Sequence, residues 1–254
     1  MAKKFKDYYG DETARLIATK ISNVFIEFDS KSFLSYVNKN ILDKEFLQRQ
    51  DVFSDAFEKF LGDNYQKNVS IFTKILGPEL ATETGMFTHG YWLWPIGRYI
   101  ERNGTKDFTV SSDFIHKLTK RFTGEFAIRP LLIQFPKKTM KTMLAWSKDE
   151  NVHVRRLASE GVRISLPWSK KSTVCLDEFT TYSEILSNLK TDSSRFVQKS
   201  VGNNLNDLYK NYPEKALEII NDWQKENPSR ETLWIIKHGM RSHTTKKSQP
   251  LINK

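Results

Sequence analysis

A thirteen-residue segment recurs after a shift of 43 positions, and this repeat constrains the fold more than any other feature of the chain. Asp149–Gly161 has the sequence DENVHVRRLASEG, and Asp192–Asn204 has the sequence DSSRFVQKSVGNN. Both copies begin with aspartate, and Arg156 aligns with Lys199. A period of about 40–47 residues is typical of arrays built from helix pairs. The sequence therefore predicts that equivalent helices of successive repeats lie side by side.

Helical periodicity extends over most of the chain. Only 11 Gly and 8 Pro occur among the 254 residues, and long runs of alternating apolar and polar residues are absent. Polar loops are predicted at Asn103–Ser112 and Ser169–Thr173. Helices are predicted at 11–27, 31–39, 43–61, 65–76, 86–102, 112–122, 125–134, 137–148, 151–163, 182–190, 194–209, 213–226 and 229–240.

These patterns predict an all-α fold, specifically a HEAT-like repeat solenoid with a concave basic face. A single HEAT-like domain is expected over residues 1–241. Residues 242–254 (SHTTKKSQPLINK) are polar and basic and are expected to form a frayed tail.

The chain is basic, with 40 Lys and Arg against 30 Asp and Glu. The net charge of +10 favours a polyanionic partner, first nucleic acid and second an anionic membrane surface. A basic protein with no such partner is the alternative. Cys175 is the only cysteine, which excludes an intrachain disulfide and a cysteine-based zinc site. The first residues (MAKKFKDYYG) do not resemble a signal peptide, and the apolar runs are too short to span a bilayer, so a cytoplasmic protein is expected.

The sequence lacks the common catalytic motifs. It contains no G-x-G-x-x-G, no Walker loop, no G-x-S-x-G and no H-E-x-x-H, and its five histidines are scattered. A nucleotide-cofactor enzyme, a serine hydrolase and a zinc protease are therefore unsupported.

Both copies of the repeat place polar residues opposite an apolar stripe. In the first copy the polar residues are Arg156, Glu160 and Arg163. In the second copy they are Lys199, Asn203 and Asp207. If the two helices lie side by side, these residues line one open surface that carries two isolated carboxylates among basic and polar groups.

Ordinary structural roles compete with functional ones at each candidate. Glu160 can form an i,i+4 pair with Arg156, Asp207 can pair with a nearby lysine, and Trp168 can cover a repeat edge. Glu125 can interact with the dipole of a helix that it begins. However, a carboxylate facing DNA is electrostatically costly. Such a group is useful where positive charge develops, as on the sugar during cleavage of an N-glycosidic bond.

Three segments carry a resemblance to a known family: HVRRLASEGVRISLPW, TGEFAIRPLL and FVQKSVGNNLNDL. Together they resemble the AlkC-type DNA alkylation repair glycosylases of the HEAT-like AlkC/AlkD superfamily. The likeness runs from about Phe5 to Met240, and the pattern LASEG-x-R-x-x-LPW is its most specific part. Some members carry an additional immunoglobulin-like domain, and no such domain is expected within this sequence.

The resemblance implies a monofunctional glycosylase that excises bases such as 3-methyladenine from duplex DNA without a cofactor. It places the catalytic acids at Glu125, Glu160 and Asp207, and an active-site tryptophan at Trp168. The basic and polar residues of the same surface are then expected to contact DNA or to orient the acids; they are Arg156, Arg163, Lys199 and Asn203. A monomer is expected, with double-stranded DNA as partner and no membrane.

A non-enzymatic scaffold is the alternative function. Its basic face would bind nucleic acid or an acidic protein, with salt-sensitive affinity and no base release. A peripheral membrane protein is less consistent with the sequence, because no basic amphipathic helix with exposed aromatic residues is predicted.

Overall fold

A computed structural model describes residues 4–225 and 227–242, and within these ranges every regular element is a helix. The prediction of an all-α fold is confirmed. Tertiary contacts divide the chain into two compact units, Met1–Leu131 and Leu132–Lys254. The single domain expected over residues 1–241 stays a prediction. Apart from Ser242, the predicted tail lies outside the described residues.

The first unit is built from seven helices and the start of an eighth. They are α1 (Asp11–Ser22), α2 (Ser30–Asn40), α3 (Phe46–Leu61), α4 (Tyr65–Ile75), α5 (Met86–His89), α6 (Trp94–Asn103), α7 (Phe108–Thr119) and α8 (Ile128–Gln134). Short 3-10 turns lie at Phe5–Tyr8, Tyr91–Leu93 and Gly104–Lys106. The core of this unit is aromatic: Phe57 stacks on Phe33, and the Phe72 ring contacts the rings of Phe57 and Tyr99 edge-on at centroid distances of 5.0 and 5.2 Å.

Several helix bounds predicted for this unit are wrong, such as that of the helix predicted at 11–27, which ends at Ser22, and two of the differences have a clear local cause. The polar segment Asn103–Ser112 is not a continuous loop, because the Asp107 carboxylate accepts a hydrogen bond from the Val110 amide and begins α7 at Phe108. The helix predicted at 86–102 is interrupted at Gly90. A Cβ atom at Gly90 would lie 2.2 Å from the backbone oxygen of Arg121, so the chain approaches there more closely than any other residue type would allow.

The second unit contains helices α9 to α15. Their bounds are α9 (Pro136–Trp146), α10 (Val152–Glu160), α11 (Val174–Asp177), α12 (Phe179–Asn188), α13 (Arg195–Asn211), α14 (Pro213–Gln224) and α15 (Arg230–Gly239). The repeat positions α10 against α13, and α13 packs in turn against α15. Within the described ranges, no helix of either unit is long and apolar enough to cross a membrane.

The two copies of the repeat begin their helices in the same way. The side chains of Asn151 and Ser194, which are 43 residues apart, each cap a helix N-terminus. The aspartate two residues before each cap accepts a hydrogen bond from the cap's own amide, at 2.8 Å for Asp149 and 2.9 Å for Asp192. The repeat register inferred from sequence is therefore confirmed. Arg155 extends from the first copy to Asp192 of the second, with Nε to Oδ2 at 2.6 Å.

The apolar stripes of the repeat are buried as predicted. On α10 the buried residues include Val154, Leu157 and Ala158. On α13 they include Val197, Val201, Leu205 and Leu208. Because α10 and α13 contact each other, polar residues beside the two stripes are brought together.

Candidate active site

Helix α10 ends at Glu160, so the surface inferred from a continuous helix over 151–163 is wrong in one respect. Gly161 is the C-terminal cap of α10, and Arg163 lies beyond the helix. Neither Glu160 nor Arg163 is on an open face, because the exposed fractions of the two residues are 4% and 8%. The loop that follows turns the Arg163 side chain toward α13, where it meets Asp207, itself 7% exposed.

One guanidinium binds both carboxylates. Arg163 Nη1 donates to Glu160 Oε1 at 2.7 Å. Its Nε donates to Asp207 Oδ2 at 2.9 Å, and Nη2 approaches Asp207 Oδ1 at 3.4 Å. The expectation of isolated carboxylates is therefore wrong. Because arginine stays protonated in proteins and offers its donors in a fixed plane, Arg163 sets the spacing of the two acids.

The second carboxylate oxygen of Glu160 is held by α13. Ser200 Oγ donates to Glu160 Oε2 at 2.6 Å, and Ser159 Oγ donates to Ser200 Oγ at 2.6 Å. Arg156 Nη2 lies 3.6 Å from Glu160 Oε1, which is the i,i+4 pair expected from sequence. The orientation of the Glu160 carboxylate is thus determined by groups from both helices of the repeat.

Glu160 is an anion at neutral pH. Burial by itself raises the pKa of this carboxyl. The positive charges of Arg156 and Arg163, with hydrogen bonds from Ser200 and Arg163, outweigh burial and hold the pKa of Glu160 below its usual value. A carboxylate ionised in this way is suited to electrostatic stabilisation of positive charge and is a poor general acid.

This ionisation predicts a pH dependence of stability. The contribution of Glu160 is fully present above about pH 4.5, the usual value for this group, and is lost as the pH falls through the lower pKa of the folded protein. Urea unfolding at pH 7, 5, 4 and 3 checks this. The stability difference between the wild type and Glu160→Gln should shrink below about pH 4.5; a difference independent of pH would show that folding does not lower the pKa of Glu160.

Asp207 is positioned by the loop as well as by Arg163. It lies on the buried side of α13, and its Oδ2 also accepts a hydrogen bond from the Ser165 amide at 3.3 Å. The backbone between Arg163 and Ser165 therefore closes around this carboxylate. Loss of the loop conformation would release Asp207 even if α13 remained folded.

Trp168 is the exposed aromatic residue of the same loop. Its exposed fraction is 65%, and its φ of 61° lies in the left-handed region that residues other than glycine rarely adopt. Such a conformation costs on the order of 1 kcal/mol or more. An exposed indole kept in a strained loop is consistent with a contact to a ligand.

Trp168→Ala is expected to separate activity from stability. Because the indole is mostly exposed, its loss should change the free energy of unfolding by less than about 1 kcal/mol. If Trp168 packs against the nucleotide, base release should fall by about tenfold or more, since stacking of a base on an aromatic ring contributes about 1–3 kcal/mol. Urea unfolding and a base-release assay on the same preparation check both parts. Wild-type activity in this variant would assign Trp168 to the repeat edge instead.

Glu125 lies in the first unit, apart from the helix predicted for it. Helix α8 begins at Ile128, so Glu125 precedes the helix and does not begin it. The residue is half-buried, and its amide donates to Thr123 Oγ1 at 3.3 Å. The catalytic role of Glu125 stays a prediction.

The remaining predicted DNA contacts differ in exposure. Lys199 is exposed on α13. Arg156 is half-buried, with its guanidinium carbon 5.1 Å from the Phe196 ring centre. Asn203 is half-buried and accepts hydrogen bonds from residues near the end of α15. All three belong to the second unit, as do Glu160 and Asp207.

Sequence reasoning missed the polar residues that support Glu160 from α13. Ser200 aligns with Leu157 across the repeat, so a hydroxyl occupies a position that is apolar core in the other copy. Asn204 donates from Nδ2 to the backbone oxygen of Ser159 at 2.9 Å and accepts from the Tyr182 hydroxyl at 3.1 Å. The sequence signal for Ser200 was a polar residue at a repeat position that is apolar in the other copy. A buried hydroxyl there needs a hydrogen-bond partner, so the position predicts a polar contact between the two helices.

The arrangement holds two carboxylates rigidly, and the loop that binds Asp207 also carries the exposed ring of Trp168. Two arginines and two carboxylates balance in charge, and the arginines keep Glu160 ionised despite its burial. Among the residues that the structure describes, no group of three or more His, Cys, Asp or Glu side chains could hold a metal ion. Two carboxylates held rigidly by Arg163 are suited to stabilising a cation that forms next to them.

Comparison with known proteins identifies the family. A family model described as DNA alkylation repair enzyme matches residues 118–242. The protein YhaZ of Bacillus subtilis (strain 168) is 40% identical over 144 residues, which are 57% of this chain. The match spans only 40% of the length of YhaZ.

A solved structure extends the similarity to nearly the whole chain. It is Pseudomonas fluorescens alkylpurine DNA glycosylase AlkC bound to DNA containing an abasic site analog. The similarity covers 98% of this chain and 67% of that one, with 32% identity and a TM-score of 0.85. The chain belongs to the DNA alkylation repair enzyme family and is of the AlkC type. The predicted family and the helical solenoid fold are confirmed.

Proposed function

We propose that this protein is a monofunctional DNA glycosylase that hydrolyses the N-glycosidic bond of cationic alkylated purines in duplex DNA. The favoured substrate is 3-methyladenine, and the product is an abasic site. The observation that carries the proposal is the pair of buried carboxylates, Glu160 and Asp207, held as one unit by Arg163. The similarity to an alkylpurine glycosylase bound to DNA supports the same reaction class.

The chemistry requires little acid catalysis. When the bond between C1′ and an alkylated base breaks, the base keeps the bonding electron pair and leaves as a neutral molecule. Positive charge develops on the sugar, as in other glycosyl transfers. Glu160 and Asp207 stabilise that charge and orient the attacking water, whose proton passes to a carboxylate or to solvent.

The other predicted residues have supporting roles. Trp168 packs against the lesion nucleotide, and Glu125 is assigned a catalytic role. Arg156, Lys199 and Asn203 contact the DNA backbone or orient the acids. Arg163 acts by positioning Glu160 and Asp207. The protein works as a monomer on double-stranded DNA, without metal or organic cofactor, in the cytoplasm.

The basic composition supports DNA as the partner. The chain carries a net charge of +10, and neutralisation of phosphates by lysine and arginine dominates the affinity of proteins for DNA. Within the cluster of Glu160, Asp207, Arg156 and Arg163 the charges cancel. Phosphate binding therefore falls to basic residues around the acids.

Base release from methylated DNA tests the proposed function. Duplex DNA treated with dimethyl sulfate is incubated with the protein, and freed bases are identified by mass spectrometry. Release of 3-methyladenine above the spontaneous rate is the expected result. Tight, salt-dependent DNA binding without base release would instead support a non-enzymatic scaffold, for which removal of Glu160 should tighten binding.

A further inference from the structure

A second cluster of charged residues lies along the same side of α13 as Asp207. Arg195, Lys199, Asn203 and Asp207 recur every four residues, so each lies next to the following one on the helix surface. Residues of α15, and those just after it, lie against this face. The Arg195 guanidinium carbon is 3.9 Å from the ring centre of Trp234. The Trp234 ring stacks on His238 at a centroid distance of 4.9 Å and an angle of 10°.

His238 is fixed in this cluster by close packing. A Cβ atom at Gly202 would lie 2.7 Å from His238 Cδ2 and 3.2 Å from its Cβ. Only glycine therefore lets the imidazole lie so near the backbone of α13 without a shift. Trp234 covers one face of the ring. The position of His238 relative to Lys199 and Asn203 is consequently rigid.

Hydrogen bonds at Asn203 identify the nitrogen of His238 that carries a proton. Arg241 Nη2 donates to Asn203 Oδ1 at 2.9 Å, and His238 Nε2 lies 3.2 Å from the same oxygen. Because arginine can only donate, the Asn203 atom at this point must be the acceptor oxygen. His238 Nε2 therefore donates, and Nδ1 is the atom that can take up a second proton.

Positive charges surround this imidazole. Arg195 and Lys199 face it from α13, and Arg241 follows it in the chain. The nearby carboxylates act on other members of the cluster: Glu231 interacts with Arg195, and Asp207 interacts with Arg241. Burial lowers the pKa of His238, and the charges of Arg241, Lys199 and Arg195 lower it further. The histidine is thus neutral at pH 7 while its surroundings are cationic.

We propose that Arg195, Lys199, His238 and Arg241 bind backbone phosphate of the DNA, and that His238 takes up one proton from solvent at Nδ1 when the phosphate arrives. This inference rests on DNA as the partner in the proposed function. A phosphate supplies the negative charge that offsets the three neighbouring cations, which favours the imidazolium form. Binding and protonation then strengthen each other.

The position of the cluster gives the phosphate contact a role in the reaction. Asn203 is one helical turn from Asp207, which corresponds to about 6 Å along α13. A phosphate held at His238 and Arg241 would fix the register of the DNA strand next to the acid pair. The cluster is a positioning site, and its members do not touch the reacting atoms.

Binding measured against pH tests the proposal. The probe is a fluorescent duplex with one tetrahydrofuran abasic site, titrated by anisotropy from pH 5.5 to 8.5 at constant ionic strength. The wild-type Kd should rise about three- to tenfold between pH 6 and pH 8, as expected for one linked histidine. His238→Gln, which can still donate to Asn203, should lose this dependence. His89→Gln, an exposed histidine of the first unit, is the matched control and should keep it.

Proton uptake provides a direct readout. Calorimetric titrations at pH 7 in two buffers of different ionisation enthalpy should show uptake of a fraction of one proton per wild-type complex and none for His238→Gln. Arg241→Gln should reduce the slope of log Kd against log salt by about one. Equal pH profiles for the wild type and His238→Gln, or no uptake in the wild type, would overturn the proposal.

Base release by the same preparation separates this inference from the proposed function. Excision together with pH-independent binding would overturn the phosphate site and leave the glycosylase. Proton-linked binding without excision would support the phosphate site and overturn the proposed glycosylase activity. Absence of any DNA binding would overturn both.

Discussion

Glu160→Gln is expected to reduce the single-turnover rate of 3-methyladenine release by about 100- to 1,000-fold. Loss of one preorganised electrostatic group commonly lowers kcat by this factor. Glutamine keeps the size of the side chain, its oxygen can still accept from Arg163, and its NH2 group can donate to the Ser200 hydroxyl, so the change removes mainly the negative charge. Asp207→Asn should have an effect of similar size, because the two carboxylates share Arg163. Rates measured at saturating enzyme on methylated duplex DNA check both variants.

Asp192→Asn is the matched control for these substitutions. Asp192 is also a buried carboxylate of the second unit that pairs with an arginine, Arg155, at 2.6 Å. It links the two repeats at the start of α13, far along the helix from Asp207. Base release should therefore be close to wild type in Asp192→Asn. Equal losses of activity in Asp192→Asn and Glu160→Gln would indicate that breaking any buried ion pair lowers the rate of base release. Full activity of Glu160→Gln would show that Glu160 has no role in the reaction.

Arg163→Gln is expected to cause the largest loss of stability, about 3–5 kcal/mol of unfolding free energy. Removing one member of a buried ion pair leaves the other charge uncompensated, and here Glu160 and Asp207 both lose their shared partner. Domains of this kind are stabilised by only about 5–15 kcal/mol, so the variant should be close to unfolding at physiological temperature. Urea unfolding followed by circular dichroism measures the change.

A double variant shows whether uncompensated charge is the cause. Adding Asp207→Asn to Arg163→Gln should recover about 1–3 kcal/mol, because one of the two buried charges is removed with its partner. Arg155→Gln provides a comparison, since this arginine is partly exposed and its loss should cost less. If the double variant is no more stable than Arg163→Gln alone, packing of the guanidinium matters more than its charge.

The sequence was sufficient to predict the two helices of the repeat and their buried sides, although it missed α11 and placed the end of α10 too late. The 43-residue shift placed the caps Asn151 and Ser194 at equivalent positions, and both apolar stripes are buried as expected. This success has a physical basis, because a helix side that is apolar at every turn is buried whatever its neighbour is. Helix ends were less predictable, since a single cap such as Asp107 can start a helix inside a polar segment.

The relation between the acids was not available from the sequence. A helical wheel over 151–163 placed Arg163 on the same open face as Glu160, whereas α10 ends at Glu160 and the following loop redirects the arginine toward α13. The contact of Ser200 with Glu160 was not predicted, because the two residues are 40 positions apart in the chain. Contacts of this kind depend on the residue at which one helix ends and on how far the neighbouring helix is shifted along its axis. The periodicity of apolar residues determines neither of these.

The sequence by itself therefore determined the helical class, the repeat and the residue types of the site, because each of these follows from local pattern and composition. Only the tertiary structure decided that Glu160 and Asp207 form one arginine-bound pair and that His238 lies among cations against Gly202. The physical reason is that the free energy gained by burying an apolar stripe is a sum over many residues, so one wrongly assigned residue changes it little. An ion pair or a hydrogen bond between two helices requires their atoms to meet within about 3 Å.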